Sequence, residues 1–193
     1  MIRCKVLAAL CATAALAAPA ARAKQPHPFA GHRQVTVMMQ NVYLGTDLKP
    51  IFLAPNPFAV FAAGEAGWAQ VRSNDFPDRA EAIADEIAAA KPDLVGLQEV
   101  MLFRTDVPPD GPATPAETVA FDYLELLLDA LADRGLSYEP VSVYSGGDAE
   151  LPAELPPTLD VRMTDHAVVL ARTGEKTADL NSRTHSRART RRR

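Results

Sequence analysis

Cysteine is all but missing. The chain has two, Cys4 and Cys11, and both fall within the first 23 residues. Beyond them there is no disulfide framework, no thiolate metal site and no cysteine nucleophile. Aromatic residues make up only 6% of the chain, and Trp68 is the single tryptophan. Alanine supplies much of the 48% that is apolar, so the core must come chiefly from aliphatic side chains. No apolar run after Ala18 approaches the roughly 20 residues of a membrane-spanning helix. No glycine-rich phosphate loop occurs. None of His27, His32, His166 and His185 pairs with a serine or cysteine in a recognisable nucleophile motif, which leaves a hydrolytic triad without support. Positive charge is scarce in the body of the chain. Lys24 to Leu180 holds 11 of the 20 basic residues and all 24 acidic ones, a net charge of about −13. The formal total of −4 conceals this, because six arginines crowd Asn181 to Arg193. Such a body is a poor match for gripping nucleic acid through phosphate contacts alone. It can still act on phosphates if a metal ion supplies the positive charge.

What is present begins with an export pattern. Arg3 and Lys5 precede an apolar run from Val6 to Ala18, and Ala21-Arg22-Ala23 follows as a small-x-small cleavage site. This reads as a signal peptide over residues 1–23. The product is therefore expected to be secreted or periplasmic, with no transmembrane segment.

The remainder suits one domain over 34–180. Gln34 to Gln40 reads as a strand ending at Asn41. Tyr43 to Asp75 has no clear period and reads as a long, partly helical insertion. A helix follows, with Asn74 or Asp75 as cap, Pro77 in the first turn and an apolar stripe of Ala80, Ile83, Ala84, Ile87 and Ala88. Pro92 stops it, and Leu94-Val-Gly-Leu97 reads as a buried strand ending at Gln98-Glu99. Arg104 to Pro115 reads as a loop. Thr114 and Glu117 form a capping box for a second helix, with Val119, Tyr123, Leu126, Leu127 and Leu131 buried and Gly135 at its end. Tyr138 to Tyr144 reads as a strand with a turn at Gly146-Gly147. Leu159 to Met163 and Ala167 to Arg172 read as two strands joined through Thr164-Asp165-His166. Asn181 to Arg193 has no apolar period and reads as a disordered tail. The order of elements predicts an α/β (α+β) fold.

Two strands thus end in polar residues, Asn41 and Glu99. If the strands are neighbours, a carboxylate and an amide oxygen meet at one sheet edge. That pair is a suitable start for a hard cation, which would polarise a phosphoryl oxygen and stabilise a leaving oxyanion. By spacing alone, either residue also reads as an ordinary strand end or turn.

The wording around these residues is more specific. Val35-Thr-Val-Met-Met-Gln-Asn41-Val resembles the opening strand of the endonuclease/exonuclease/phosphatase superfamily. Arg79-Ala-Glu-Ala-Ile-Ala-Asp-Glu-Ile, followed by Lys91-Pro-Asp-Leu-Val-Gly-Leu-Gln-Glu99-Val, is similar to its second motif. His166-Ala-Val-Val-Leu-Ala-Arg172 looks like a later core strand of the family. The resemblance covers roughly Gln34 to Arg172. It implies a two-sheet α/β sandwich, with Glu99 as a ligand of Mg²⁺ (or Mn²⁺) and Asn41 assisting at the metal or the phosphate. It further implies hydrolysis of a phosphoester by in-line attack of water. Substrates in the family range over phospholipid head groups, small phosphoesters and nucleic acid, and no stable protein partner is implied.

The departures are as informative. The family's later Asp-x-Asn and Ser-Asp-His motifs have no counterpart. Asp179-Leu180-Asn181 has the first set of letters but comes too soon after the Ala167 to Arg172 strand, and Thr184-His185-Ser186 is not the second. Tyr43 stands where some members carry an aspartate. The sequence thus reads as the N-terminal portion of such a domain. Its tail reads as an out-of-frame end, a solvated tail or a basic binding segment. A catalytically incomplete fragment, or a secreted binding module with a basic tail, is the alternative to an enzyme.

Overall fold

The computed structural model describes residues 34–111, 113–153 and 158–174. The expected signal peptide, the arginine-rich tail and residues 175–180 of the expected domain lie outside them. All the described residues except Gln34 belong to one compact unit that starts at Val35.

Six strands form a mixed sheet: β1 (Val37–Asn41), β2 (Leu94–Gln98), β3 (Leu102–Asp106), β4 (Thr118–Asp122), β5 (Tyr138–Pro152) and β6 (Asp160–Arg172). β1 runs parallel to β2, from Val37 opposite Leu94 to Asn41 opposite Gln98. The long β6 runs antiparallel to β2 and then to β3. Between them, Val100 and His166 exchange backbone hydrogen bonds of 3.0 and 3.2 Å. β2 and β3 therefore act as one bent strand along β6, with the bend at Glu99. β1 flanks β2, β4 flanks β3, and β5 pairs with the other side of β6. The α/β class expected from the sequence holds at this level.

Four helices complete the fold: α1 (Lys49–Phe52), α2 (Pro57–Ser73), α3 (Phe76–Ala90) and α4 (Tyr123–Asp133). The core gathers Trp68 and Val71 of α2, Ile83 and Ile87 of α3 and Leu127 and Leu131 of α4 against Val95, Leu97, Phe103, Val168 and Leu170 of the sheet. Phe76 stacks on Tyr123 with ring centroids 3.5 Å apart. Within β1, Met38 packs toward this core, whereas Val37, Met39 and Asn41 are exposed on the opposite face. Among the described residues, no helix is long and apolar enough to cross a membrane.

α3 carries the predicted stripe, with Ala80, Ile83, Ala84 and Ile87 buried and Pro77 in its first turn. Its cap differs. Asp75 is left-handed at φ 46° and makes no side-chain cap bond. Asn74 instead donates to the Gly45 and Gln70 carbonyls at 2.5 and 3.2 Å. The stretch without a period is mostly helix. Asn56 caps α2 by accepting from the Ala59 amide at 3.0 Å, and Pro57 opens the first turn. Half of the buried stripe of α2 is glycine, Gly64 and Gly67 beside Trp68 and Val71, and small residues give periodicity little to register.

Four local expectations are corrected. The Arg104 to Pro115 loop begins only after Asp106, because Phe103 is buried in the core and carries β3 with it. The helix does not start at Thr114. The Ala116 amide is bound by Glu150 Oε2 at 2.7 Å, and Thr118-Val-Ala-Phe pairs with β3 as β4. Asp122 caps α4, accepting from the Leu124 and Glu125 amides at 3.0 and 3.1 Å. Val119 is consequently exposed, while Tyr123, Leu127 and Leu131 are buried as expected and Gly135 ends the helix at φ 67°. Gly146-Gly147 is no turn but a bulge inside β5, where register shifts between Ser145 and Asp148. Thr164-Asp165-His166 is no hairpin either. β6 passes straight through, because Thr164 Oγ1 donates to Asp148 Oδ1 at 2.9 Å and His166 is tied to Val100.

Candidate functional site

The ends of β1 and β2 meet. Their parallel register sets Asn41 beside Gln98, and the chain bends at the next residue, Glu99. Asn41 Nδ2 donates to Glu99 Oε1 at 2.7 Å. The two residues singled out from the sequence, 58 positions apart, are therefore in direct contact.

A short strap, Val42 to Thr46, closes over the pair. The Leu44 amide donates to Glu99 Oε2 at 2.8 Å. The Tyr43 amide donates to Asn41 Oδ1 at 2.7 Å, the turn an Asn side chain is suited to make. The amide of Asn41 is thereby oriented: a flip would set its NH₂ against the Tyr43 N–H. Glu99 and Tyr43 both take left-handed backbone, φ 58° and 61°. Such geometry costs a non-glycine residue roughly 1–2 kcal/mol and tends to cluster at functional sites.

Arg79, in the first turns of α3, braces the strap from below. Its Nη2 donates to the Val42 carbonyl and, at 3.5 Å, reaches the Tyr43 carbonyl. Its guanidinium lies 5.5 Å from the Tyr43 ring centre and 5.3 Å from that of Phe76. Tyr123 holds the strap's far end, its hydroxyl donating to the Leu44 carbonyl at 3.2 Å. Burial pushes the Tyr123 phenol up to about 12, outweighing the opposing charge of Arg79. Sequence reasoning missed this brace. Arg79 lay off the apolar stripe and carried no signal of where its fork would reach.

The donor set bears on the expected cation. An ionised carboxylate offers about four lone-pair positions, and Glu99 spends two on Asn41 and Leu44. Two remain, so Glu99 fits as one ligand of Mg²⁺, which is commonly held by one or two carboxylates and completed by water and substrate oxygens. Asn41 fits less well as a direct ligand. Its oxygen faces the Tyr43 amide and its nitrogen faces Glu99, so in this arrangement it orients the carboxylate. Among the described residues no cluster of three or more His, Asp or Glu side chains is placed to hold a metal. His166 lies next to the bend, with Nδ1 3.1 Å from the Val100 carbonyl. His27, His32 and His185 lie outside the described residues. No family model, curated protein or solved structure matches the chain.

Proposed function

We propose that the chain carries part of a metal-dependent phosphoester-hydrolysing centre, built on Glu99 and set in an exported domain. The observation that supports this reading is the Asn41–Glu99 hydrogen bond at the tips of two adjacent parallel strands. Ligands of open α/β sheets commonly bind beyond the carboxyl ends of the strands. Glu99 would hold Mg²⁺ (or Mn²⁺) as one ligand, since its carboxylate keeps acceptor capacity beyond Asn41 and Leu44. Asn41 fixes the carboxylate's rotamer, and the Leu44 amide and the Arg79 brace hold the strap in place against it. When bound, the cation polarises the phosphoryl group toward attack by water. A phospholipid head group, a small phosphoester or nucleic acid each fits that chemistry. The strongly acidic body favours the first two.

We further propose that the sheet is one layer of a two-sheet sandwich. Asn41, Val37 and Met39 share the face away from the helices, and Val37 and Met39 are 55% and 65% exposed. A second layer there would cover the apolar pair and wall the site.

A second reading has its own support. Asn41 Oδ1 and both oxygens of Glu99 already have partners within the chain, so the pair also serves as a structural clasp in a catalytically incomplete or purely binding module. Two measurements on the purified chain separate the readings. Mn²⁺ titration followed by electron paramagnetic resonance should show a site that Glu99→Ala removes. Mg²⁺-dependent release of p-nitrophenol from bis-p-nitrophenyl phosphate should vanish in the same variant. Metal binding without turnover favours the incomplete module, and absence of both sinks the phosphoesterase reading.

A further inference from the structure

The turn between α1 and α2, Phe52-Leu-Ala-Pro-Asn-Pro-Phe58, holds three large apolar side chains in solvent. Phe52 and Leu53 are each 78% exposed and Phe58 is 80% exposed, the highest values for large apolar residues among those described. The turn is braced by Pro55, Pro57 and the Asn56 cap on the Ala59 amide.

Beside this tip lies a small, half-open apolar cleft. Leu48 and Ile51 of the α1 region line it together with Trp68, Phe103, Val161 and Met163. Thr46 brings the lining its one side-chain hydroxyl, and that hydroxyl already donates to Gln70 Oε1 at 2.8 Å. The lining is overwhelmingly apolar, which suits an aliphatic chain better than a polar ligand.

Charge narrows the occupant. Between Val42 and Gly64 the only charged residues are Asp47 and Lys49, so the tip is close to neutral. Within Phe52 to Phe58 the one polar side chain is Asn56, whose oxygen accepts from the Ala59 amide, so the turn offers a protein partner little of the polar rim that surrounds an interface's apolar centre. A basic, electrostatic approach to anionic lipid is not what this tip offers. Its chemistry fits a surface with an aliphatic interior and no net charge.

We propose that the α1–α2 tip docks on zwitterionic phospholipid, inserting Phe52, Leu53 and Phe58 at the level of the acyl chains, and that the adjoining cleft takes one aliphatic chain. Apolar side chains carried shallowly into the boundary between head groups and acyl chains are the usual means of such attachment. The inference stands apart from the phosphoesterase reading, since it is tested by binding alone.

The full chain should co-float with phosphatidylcholine vesicles equally well at 0.15 and 0.5 M NaCl. The triple variant F52S/L53S/F58S should bind at least tenfold more weakly, with an unchanged thermal midpoint because those side chains face solvent in the folded state. Trp68 is the only tryptophan, so its emission reports on the cleft. Vesicles with brominated acyl chains should quench it, and the triple variant should lose that quenching. Failure to bind phosphatidylcholine, or equal binding by the triple variant, overturns the proposal. So does binding that requires anionic lipid and disappears at high salt, which would assign the contact to the arginine-rich tail. A monomer–dimer equilibrium abolished by the triple variant would give the tip to a second copy of the chain instead. Binding without quenching removes the cleft from the proposal.

Discussion

Glu99 joins a well-satisfied side chain to a reluctant backbone. Its carboxylate takes hydrogen bonds from Asn41 and Leu44, each charge-assisted and worth about 1.5–3 kcal/mol when well formed. Its φ of 58° returns part of that. The two effects separate by substitution. Glu99→Ala loses both bonds and keeps the unfavourable φ. Glu99→Gly loses the same bonds and releases the backbone. Both variants should be less stable than the parent, with glycine the more stable of the two by about 1 kcal/mol in urea denaturation. Alanine equal to or above glycine would show that the left-handed bend carries no strain. At this scale the sequence was legible where a residue type met a strand end, as at Asn41 and Glu99. It was silent on Leu44 and Arg79, because a main-chain N–H has no letter and a guanidinium's reach depends on where the strap folds.

Elements were legible where one signal ruled and obscure where two competed. α3 had a stripe, a proline start and a proline stop, and Asp75 holds its N-cap position without the side-chain bond expected there. Thr114 to Glu117 had the letters of a capping box, but Glu150 of β5 claims the Ala116 amide. Thr118 to Phe121 then gain a ladder that the helix would have forfeited. Thr164-Asp165-His166 looked like a turn because polar residues usually break a strand, yet cross-strand partners lay on elements the local sequence does not name. The strap between β1 and α1 depends on such remote partners too, and Tyr123 of α4 is the one most easily tested. Its phenol ionises at about 12 when folded, chiefly because it is buried, against roughly 10 when unfolded. Between those values the folded chain holds a proton that the unfolded chain has lost. This contribution to stability is therefore complete below pH 10 and declines as pH rises from about 10 to about 12. Tyr123→Phe should cost about 1 kcal/mol at pH 8 through loss of the bond to the Leu44 carbonyl. It should also flatten the fall in stability measured by denaturation between pH 9 and 11. Some slope will persist, because burial raises the Tyr138 phenol as well. A slope unchanged by Tyr123→Phe would mean that this hydroxyl is not shielded as the fold requires.

Across the whole molecule the sheet is treated unequally on its two sides. Helices α2, α3 and α4 cover one face with a continuous core. The other face leaves Val37 and Met39 open, and along β5 every residue from Glu139 to Ala149 is exposed, Val141, Val143 and Tyr144 included. Among the described residues no strand pairs with the outer side of β5. A long exposed edge next to apolar side chains is a template for further strands, and nature usually blunts such edges with charge. The chain should therefore self-associate with rising concentration in sedimentation velocity. Val37→Lys together with Val143→Lys should shift it toward monomer. The thermal midpoint should hardly move, since both valines are more than half exposed and surface changes of this kind are usually worth less than about 0.5 kcal/mol. The serine triple variant at the α1–α2 tip should leave this association intact, because the tip is neither strand nor sheet edge. If the serine variant disperses the oligomer and the lysine pair does not, the tip and not the open sheet is the adhesive surface.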